Sequence, residues 1–371
     1  MLFQHIPGLA ETKKILINSV KSNHIAHAQL FFGPAGSANL AMALAYATYI
    51  NCTDKIEDDA CGQCAACIKN NKYIFPDLHF VVPTATTKTK TKDITTATFM
   101  KEWREFVQTN PYASMQEWGN YFGAENKQLS ISVEESRNII KTLTLKSFEG
   151  EYKILILWLP EMMNASSANA LLKILEEPPS KTIFLLVTQD PEKIITTIIS
   201  RTQMVRIRAF DDTEVVEKIT QSGIGEETAK KIAYLADGNL NEAFRISHEV
   251  DEGNGDMFRT WMRLCYSRDF STMVQWTEDF AKMGRESQKN FFQYGLNMLR
   301  ETLILRYGGE DLLRLQDEEK KFIENFSKVL DQDKIDFISK EINHAHYHIE
   351  RNANPKIIFL DLSLSISLRI K

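Results

Sequence analysis

The chain has 371 residues, of which 43% are hydrophobic and 25% are charged, and its formal net charge is −5. This length is enough for two or three domains, each with its own apolar core. The negative balance argues against a protein whose main task is to grip nucleic-acid phosphates, which calls for a strongly basic domain. No basic and apolar leader opens the sequence, and no apolar run approaches the ~18 residues of a membrane span, so we expect a cytoplasmic protein without membrane contact.

The first predicted elements are a strand, a glycine-containing loop and a helix. The apolar segment Gln29–Phe32 precedes Gly33 and Gly36, and the alanine-rich stretch Leu40–Ile50 has a composition that favours a helix. This order of elements is typical of loops that hold phosphate groups at the start of a helix.

The chemistry of a phosphate-binding loop is missing from this segment. Such a loop needs a second glycine, a lysine that neutralises phosphate charge and a hydroxyl that binds Mg²⁺. Counted from Gly33, these positions hold Ala38, Asn39 and Leu40. The sequence therefore predicts a degenerate loop without productive ATP binding. An ordinary glycine turn is the alternative that this segment alone leaves open.

Four of the five cysteines follow the first helix within sixteen positions, and they are Cys52, Cys61, Cys64 and Cys67. In a reducing compartment such crowding indicates a metal site more often than disulfides. Four thiolates complete the tetrahedral shell of a structural Zn²⁺ and leave no position open for catalysis. A cluster in which one thiol points away, or which has lost its metal, is the alternative.

A threonine-rich stretch comes next. Eight of the fifteen residues from Thr84 to Thr98 are threonine, and Lys88, Lys90 and Lys92 alternate with them. Because no hydrophobic period survives, we expect a mobile, solvated loop. Contact of these lysines with DNA phosphates is the less favoured reading.

Two apolar runs in the middle of the chain predict a buried sheet. Lys153–Leu159 and Ile183–Val187 flank the helical segment Asn164–Glu177, which is the pattern of neighbouring parallel strands. An ATPase needs acids at the end of its central strand to hold Mg²⁺ and orient water. Here the first run reaches Pro160 without one, a second loss of ATPase chemistry.

Helices dominate the rest of the chain. Asp212–Ile246 reads as two or three short helices, and the remainder from about Asp251 is helical and rich in Phe, Met and Leu. The alternation of Leu362, Leu364, Ile366 and Leu368 alone would suggest a strand, but Asn354–Pro355 is a helix start. We therefore expect a helix there.

The segment Asn164–Pro179 closely resembles the central block of bacterial clamp-loader AAA+ subunits. His27–Leu30, the cysteine insertion and Ile198–Gln203 occur in the same order as in that family. The resemblance is strong over about residues 1–210 and beyond them only compatible in helical content. It implies an α/β fold with an AAA+ RecA-like parallel sheet core at 1–209, a zinc module at about 52–67, a helical lid at 210–250 and an all-α collar at 251–371.

The resemblance also assigns expected roles to single residues. It places Trp158 at the position of the Mg²⁺-binding Asp and Leu159 at that of the catalytic Glu. It identifies Arg201 as an arginine finger that acts on the ATP of a neighbouring subunit. The chain departs from the family at Thr202, where a cysteine is usual, and at Asn241, where active subunits carry an arginine. An insertion at about residues 84–128 is longer than the family leads us to expect and has no predicted role.

The expected function follows from these roles. The chain would be a clamp-loader subunit that does not hydrolyse ATP, a stator that holds the ring while the sliding clamp is loaded on primed DNA. Its partners would be the tau/gamma and delta subunits, and it would belong to the DNA polymerase only through the complex. The alternatives are an ATP-hydrolysing tau/gamma-type motor subunit and a zinc-containing DNA-binding accessory protein.

Overall fold

Two units make up the chain in the computed structural model, which describes residues 1–91, 94–124, 127–249, 254–308 and 317–370. The first unit comprises Met1–Gly223 with Ala236–Ala243, and the second comprises Ile224–Leu235 with Phe244–Lys371. The predicted domain boundaries at 209 and 250 stay predictions.

The first unit alternates strands and helices. In chain order its elements are α1 (Ala10–Lys21), β1 (Ala28–Phe32), α2 (Asn39–Ile50), α3 (Ala65–Asn71), β2 (Leu78–Val81), α4 (Met100–Thr109), α5 (Met115–Tyr121), α6 (Val133–Thr144), β3 (Lys153–Trp158), α7 (Ala165–Glu176), β4 (Thr182–Thr188), α8 (Thr196–Ile199), β5 (Gln203–Arg206) and α9 (Asp212–Gln221). Short 3₁₀ helices lie at Phe3–His5, Thr96–Phe99, Pro160–Met162 and Pro191–Lys193.

The strands form one parallel sheet in the order β2-β3-β4-β1-β5. The two apolar runs are neighbours, as predicted, with Lys153 opposite Thr182 and Trp158 opposite Val187. Every residue of β3 and β4 is buried, because helices cover both faces of a parallel sheet. The predicted α/β class with a parallel sheet core is confirmed. The carboxyl ends of β1, β3 and β4 meet at one edge, which is where such sheets place their sites.

The helix after the glycine loop is buried along its whole length. All twelve residues of α2 are buried, from Asn39 to Ile50. Its small alanines allow the sheet and α1 to approach closely, and its apolar character on every side fits a helix enclosed by protein. This helix fixes the glycine loop at the sheet edge.

The prediction of a solvated loop at Thr84–Thr98 is wrong for part of this segment, because Lys88, Thr89 and Thr91 are exposed but other threonines are not. Thr84, Thr87 and Thr96 are buried, and the Lys90 ammonium donates to the Thr98 carbonyl at 2.8 Å and to Glu102 at 2.9 Å. Hydrogen bonds hold these threonines in place, since the Thr84 amide donates to the Ser130 carbonyl at 3.0 Å and the Thr96 amide donates to Glu135 at 2.6 Å. Lys92 lies outside the described residues.

The rest of the insertion is helical. It contains α4 and α5, which bury Trp103 and Trp118 completely. Ser114 and Glu117 form a capping box that starts α5. The tryptophan rings lie 5.1 Å apart in an edge-on arrangement that is favourable for aromatic pairs.

The remaining elements are all helices. They are α10 (Glu226–Ala236), α11 (Leu240–Glu249), α12 (Asn254–Ser267), α13 (Phe270–Lys282), α14 (Arg285–Gly308), α15 (Asp317–Val329), α16 (Gln332–Glu350) and α17 (Pro355–Arg369). Asn354 caps α17 as predicted, and its side chain accepts a hydrogen bond from the Lys356 amide. Within the described ranges, no helix combines the length and apolarity needed to cross a bilayer.

Candidate functional site

Asn39 occupies the centre of the glycine loop. Its side-chain amide donates to the Gly33 carbonyl at 2.8 Å and to the Thr188 carbonyl at 3.2 Å, and its Oδ1 accepts from the Ser37 hydroxyl at 2.9 Å. Asn39 is 5% exposed. The side chain at the expected lysine position therefore donates its amide hydrogens to protein carbonyls. These hydrogen bonds connect the loop after β1 to the end of β4.

Gly36 is the point where another chain segment touches the loop. Its φ is +70°, and a Cβ added to it would lie 1.7 Å from Oδ1 of Asn239. The Leu240 amide donates to the Gly36 carbonyl at 3.1 Å. Leu40 is buried within α2 and offers no hydroxyl. The segment Asn239–Leu240 thus lies directly against the loop.

The end of β3 presents no oxygen ligand at the two expected positions. Trp158 is 3% exposed, and its ring lies 5.1 Å from that of Trp103 on α4. Leu159 is buried with φ +58°, and its amide donates to the Val187 carbonyl at 2.8 Å. The two positions predicted to have lost the Mg²⁺-binding Asp and the catalytic Glu thus hold an aromatic ring and an aliphatic side chain.

Glu161 is a residue that the sequence analysis passed over because it follows Pro160. The 3₁₀ turn at Pro160–Met162 brings its carboxyl group to the sheet edge, where it shares a hydrogen bond with Thr188. Burial raises the pKa of Glu161, and its Oε2 atom has no hydrogen-bond partner among the described residues. An acidic residue directly after the proline that ends a buried strand is the sequence signal that could have predicted Glu161.

Arg201 lies just beyond α8, at the surface of the first unit. Its Nε donates to Glu176 at 2.7 Å and its Nη1 donates to the Thr197 carbonyl at 2.7 Å. Nη1 also contacts the Ser200 hydroxyl at 3.3 Å. The ion pair with Glu176 is partly exposed on both sides, so the guanidinium is oriented by local groups and stays accessible to solvent.

The four predicted metal ligands converge. The sulfur atoms of Cys52, Cys61, Cys64 and Cys67 all lie within 4.8 Å of one another. The Cys52–Cys61 and Cys61–Cys67 Sγ distances are 3.6 and 3.9 Å. Thiolates held about 2.3 Å from one Zn²⁺ in a tetrahedron lie about 3.8 Å apart. The arrangement fits Zn²⁺ with all four cysteines as ligands.

Backbone amides support this cluster from outside. The Cys64 amide donates to Cys61 Sγ at 3.2 Å, and the Cys61 amide donates to Cys52 Sγ at 3.3 Å. Burial raises and hydrogen bonds from Thr53 and Cys67 lower the pKa of Cys64, with a net value of about 6. Burial raises the pKa of Cys52 and of Cys67, so their thiolates need the charge of a bound cation. Amide donors of this kind stabilise thiolates, the form that binds metal.

Comparison with known proteins identifies the family of this chain. A family model described as "DNA polymerase III, delta subunit" matches residues 8–211. The chain belongs to this family. DNA polymerase III subunit delta' of Bacillus subtilis is 25% identical over 82% of this chain and 80% of its own length. The delta' subunit of Pseudomonas aeruginosa is 28% identical over 47% of this chain and 41% of its own length.

Two further matches are a tau subunit and a gamma subunit-related protein. The tau subunit of B. subtilis is 27% identical over 69% of this chain, which spans 39% of that protein. A solved structure titled as a gamma subunit-related protein of Thermotoga maritima covers 97% of this chain and 100% of its own, with 14% identity and a TM-score of 0.42. The resemblance to clamp-loader subunits, delta' among them, is confirmed by sequence. The chain is a clamp-loader protein of the delta'/tau/gamma group.

Proposed function

We propose that this chain is the delta'-type stator of a DNA polymerase III clamp loader, a subunit that does not hydrolyse ATP itself. The observation that carries the proposal is the hydrogen bonding of Asn39 to Gly33 and Thr188. An active site would use a lysine here to neutralise phosphate, whereas this amide is neutral and already satisfied. Trp158 and Leu159 supply no Mg²⁺ ligand at the end of β3.

Arg201 acts, in this proposal, on ATP bound by a neighbouring motor subunit. A guanidinium aimed at the transferred phosphate contributes roughly 10³ to 10⁵ in rate in other phosphoryl-transfer proteins. The exposed position of Arg201 and its orientation by Glu176 and Thr197 support such a role. To contact phosphate, the guanidinium exchanges Glu176 for a more highly charged partner. Ser200 and Thr202 position the arginine.

The four cysteines hold one structural Zn²⁺, which would fix the segment between α2 and α3. The helices from about residue 251 onward form the collar that joins the ring. The partners are then the tau/gamma and delta subunits, with the sliding clamp and primed DNA reached through the complex. As in the sequence analysis, we expect this assembly in the cytoplasm.

The test is the clamp- and DNA-stimulated ATPase rate of a reconstituted loader. Arg201→Ala should lower the rate by about 10³-fold, and Arg201→Lys should not restore it because lysine lacks the planar fork of donors. Arg206→Ala is the matched control, since Arg206 is an exposed arginine on the adjacent strand β5. An unchanged rate in Arg201→Ala would overturn the finger.

A second test uses the isolated chain. It should show neither ATP binding nor turnover by equilibrium titration and phosphate release. Binding with turnover would make this chain a motor subunit and would overturn the reading of Asn39 and Trp158. Tight, strongly salt-dependent binding of DNA by the isolated chain would instead favour the DNA-binding alternative.

A further inference from the structure

The insertion at residues 84–128 is placed against the degenerate site. Trp158, at the end of β3, contacts Trp103 of α4, and Trp103 contacts Trp118 of α5, each with ring centroids 5.1 Å apart. The Trp118 indole N–H donates to the Pro83 carbonyl at 2.8 Å. An aromatic column therefore joins the insertion to the strand end where Mg²⁺ would be held in an active relative.

The same helices make polar contacts with a segment more than a hundred residues away. The Asn110 amide donates to Oδ1 of Asn241 at 2.5 Å, and the Asn241 amide donates to Oε2 of Glu117 at 2.7 Å. Tyr112 lies between Asn110 and Glu117 in sequence and packs edge-on against Phe210, 5.9 Å away. Asn241 is thus held by both ends of the connection from α4 to α5.

Asn241 also belongs to the segment that lies against the glycine loop. Asn239 approaches Gly36 closely enough to exclude a Cβ there, and the Leu240 amide donates to the Gly36 carbonyl. Consecutive residues 239–241 therefore contact the glycine loop on one side and the insertion on the other. Together with the Trp158 contact, this forms a continuous series of protein contacts from the glycine loop to the end of β3.

In an active ATPase the nucleotide and its metal contact the phosphate loop and the end of the central strand, and so connect them. We propose that the segment from α4 to α5 is a built-in substitute for nucleotide in this chain. It holds residues 239–241 against the glycine loop at all stages of the loader's ATP cycle. Asn110, Glu117 and Asn241 are the positioning residues. This inference rests on the proposed function in one respect, the absence of ATP from the site.

A simple extension of the apolar core would account for the tryptophans, but it does not require the amide pair. The contact also contains two asparagines and a glutamate. Their hydrogen bonds fix the relative orientation of the two segments, because each donor must meet its acceptor. The substitute-nucleotide proposal therefore depends on the contacts of Asn241, and these can be changed without changing the volume of the side chain.

The experiment is amide hydrogen exchange of the full chain without nucleotide. Asn241→Asp preserves shape but places a carboxylate against that of Glu117. We expect amides at residues 239–243 to exchange at least about tenfold faster. Asn120→Asp is the matched control, because Asn120 is an exposed asparagine on α5 whose side chain makes no contact with Asn241. Its exchange at 239–243 should equal that of the wild type.

A variant on the other side of the contact sharpens the test. Asn110→Asp removes the donor to Oδ1 of Asn241 and leaves the Ser114–Glu117 capping box in place, so residues 239–243 should again exchange faster. Wild-type exchange in Asn241→Asp or in Asn110→Asp would overturn the proposal. ATP turnover by the wild-type chain would overturn the stator function, and ATP binding would overturn the premise that the site holds no ATP. The exchange rates, measured without ATP or partners, decide the role of the insertion separately.

Discussion

The glycine loop and the cysteine cluster lie in the same unit, and their polar groups have opposite surroundings. At the glycine loop, the side chain of Asn39 bonds to two carbonyls and one hydroxyl of the protein. At the cysteine cluster, four sulfur atoms face one another within 4.8 Å. A cluster of thiols gains little from such mutual contact, because S–H is a weak donor and sulfur a weak acceptor.

This difference is the one expected between a donor set that can take a cation and a loop whose side chains already have protein partners. The cysteines keep a donor set that a cation can complete, and their supporting amides already point at sulfur. In the glycine loop, the side chain of Asn39 already has protein partners for its donors and its acceptor. The backbone geometry of a loop is thus a weaker sign of ligand binding than the question whether its polar side chains already have hydrogen-bond partners in the protein. Four substitutions test this comparison.

Removal of one metal ligand should have the largest effect. In Cys67→Ser we expect bound zinc to fall from one per chain to none after dialysis, and the segment between α2 and α3 to become sensitive to protease. Structural zinc contributes about 10–16 kcal/mol of binding in zinc-finger peptides, so its loss unfolds local structure. Metal analysis and limited proteolysis are the measurements. Cys265→Ser, at a lone buried cysteine, should keep its zinc; equal zinc in both variants would refute the site.

Truncation of the aromatic column comes next. Trp103→Ala removes a fully buried ring that contacts Trp118 and Trp158, and it should cost about 3–5 kcal/mol in the free energy of unfolding. Urea denaturation followed by circular dichroism gives this value. Lys101→Ala, at an exposed position on the same helix, should cost little. A loss below about 1 kcal/mol in Trp103→Ala would mean that the insertion is not part of the core.

The glycine loop should be sensitive to a single methyl group. Gly36→Ala combines φ +70° with a contact of 1.7 Å to Asn239, and we expect a loss of about 1–3 kcal/mol in thermal or urea unfolding. Gly223→Ala provides the comparison, because Gly223 has φ +93° with nothing within 4 Å of the added Cβ. Equal losses would show that backbone strain alone is responsible and that Asn239 does not press on the loop.

The smallest effect concerns pH. Burial raises the pKa of Glu161, so the folded state holds a proton that the unfolded state has released. Stability due to this group is therefore greatest below the pKa of the unfolded carboxyl and declines as pH rises through the folded pKa. Glu161→Gln cannot titrate and should flatten this decline in urea unfolding measured from pH 4 upward. Parallel pH profiles for the two proteins would contradict the burial of this carboxyl.

Local sequence was sufficient where one segment carries the whole signal. Ile154–Leu159 is apolar throughout and predicted the buried strand, and the cysteine spacing predicted a cluster whose thiols do converge. The edge strand β5 escaped prediction because it is four residues long and mostly exposed. The threonine-rich stretch hid the aromatic core after it. The Asn241–Glu117 bond joins residues 124 apart, and no local pattern encodes it.

The strand order has a consequence for synthesis of the protein. β1 and α2 emerge early from the ribosome, yet Asn39 finds its Thr188 partner only 149 residues later. At about 5–20 residues per second, that interval lasts roughly 7–30 s. During this time α2, all of whose residues are buried in the folded chain, lacks the complete sheet that covers it. The nascent chain therefore offers a target for chaperones, and β1 joins the sheet after its neighbour β4 has been made.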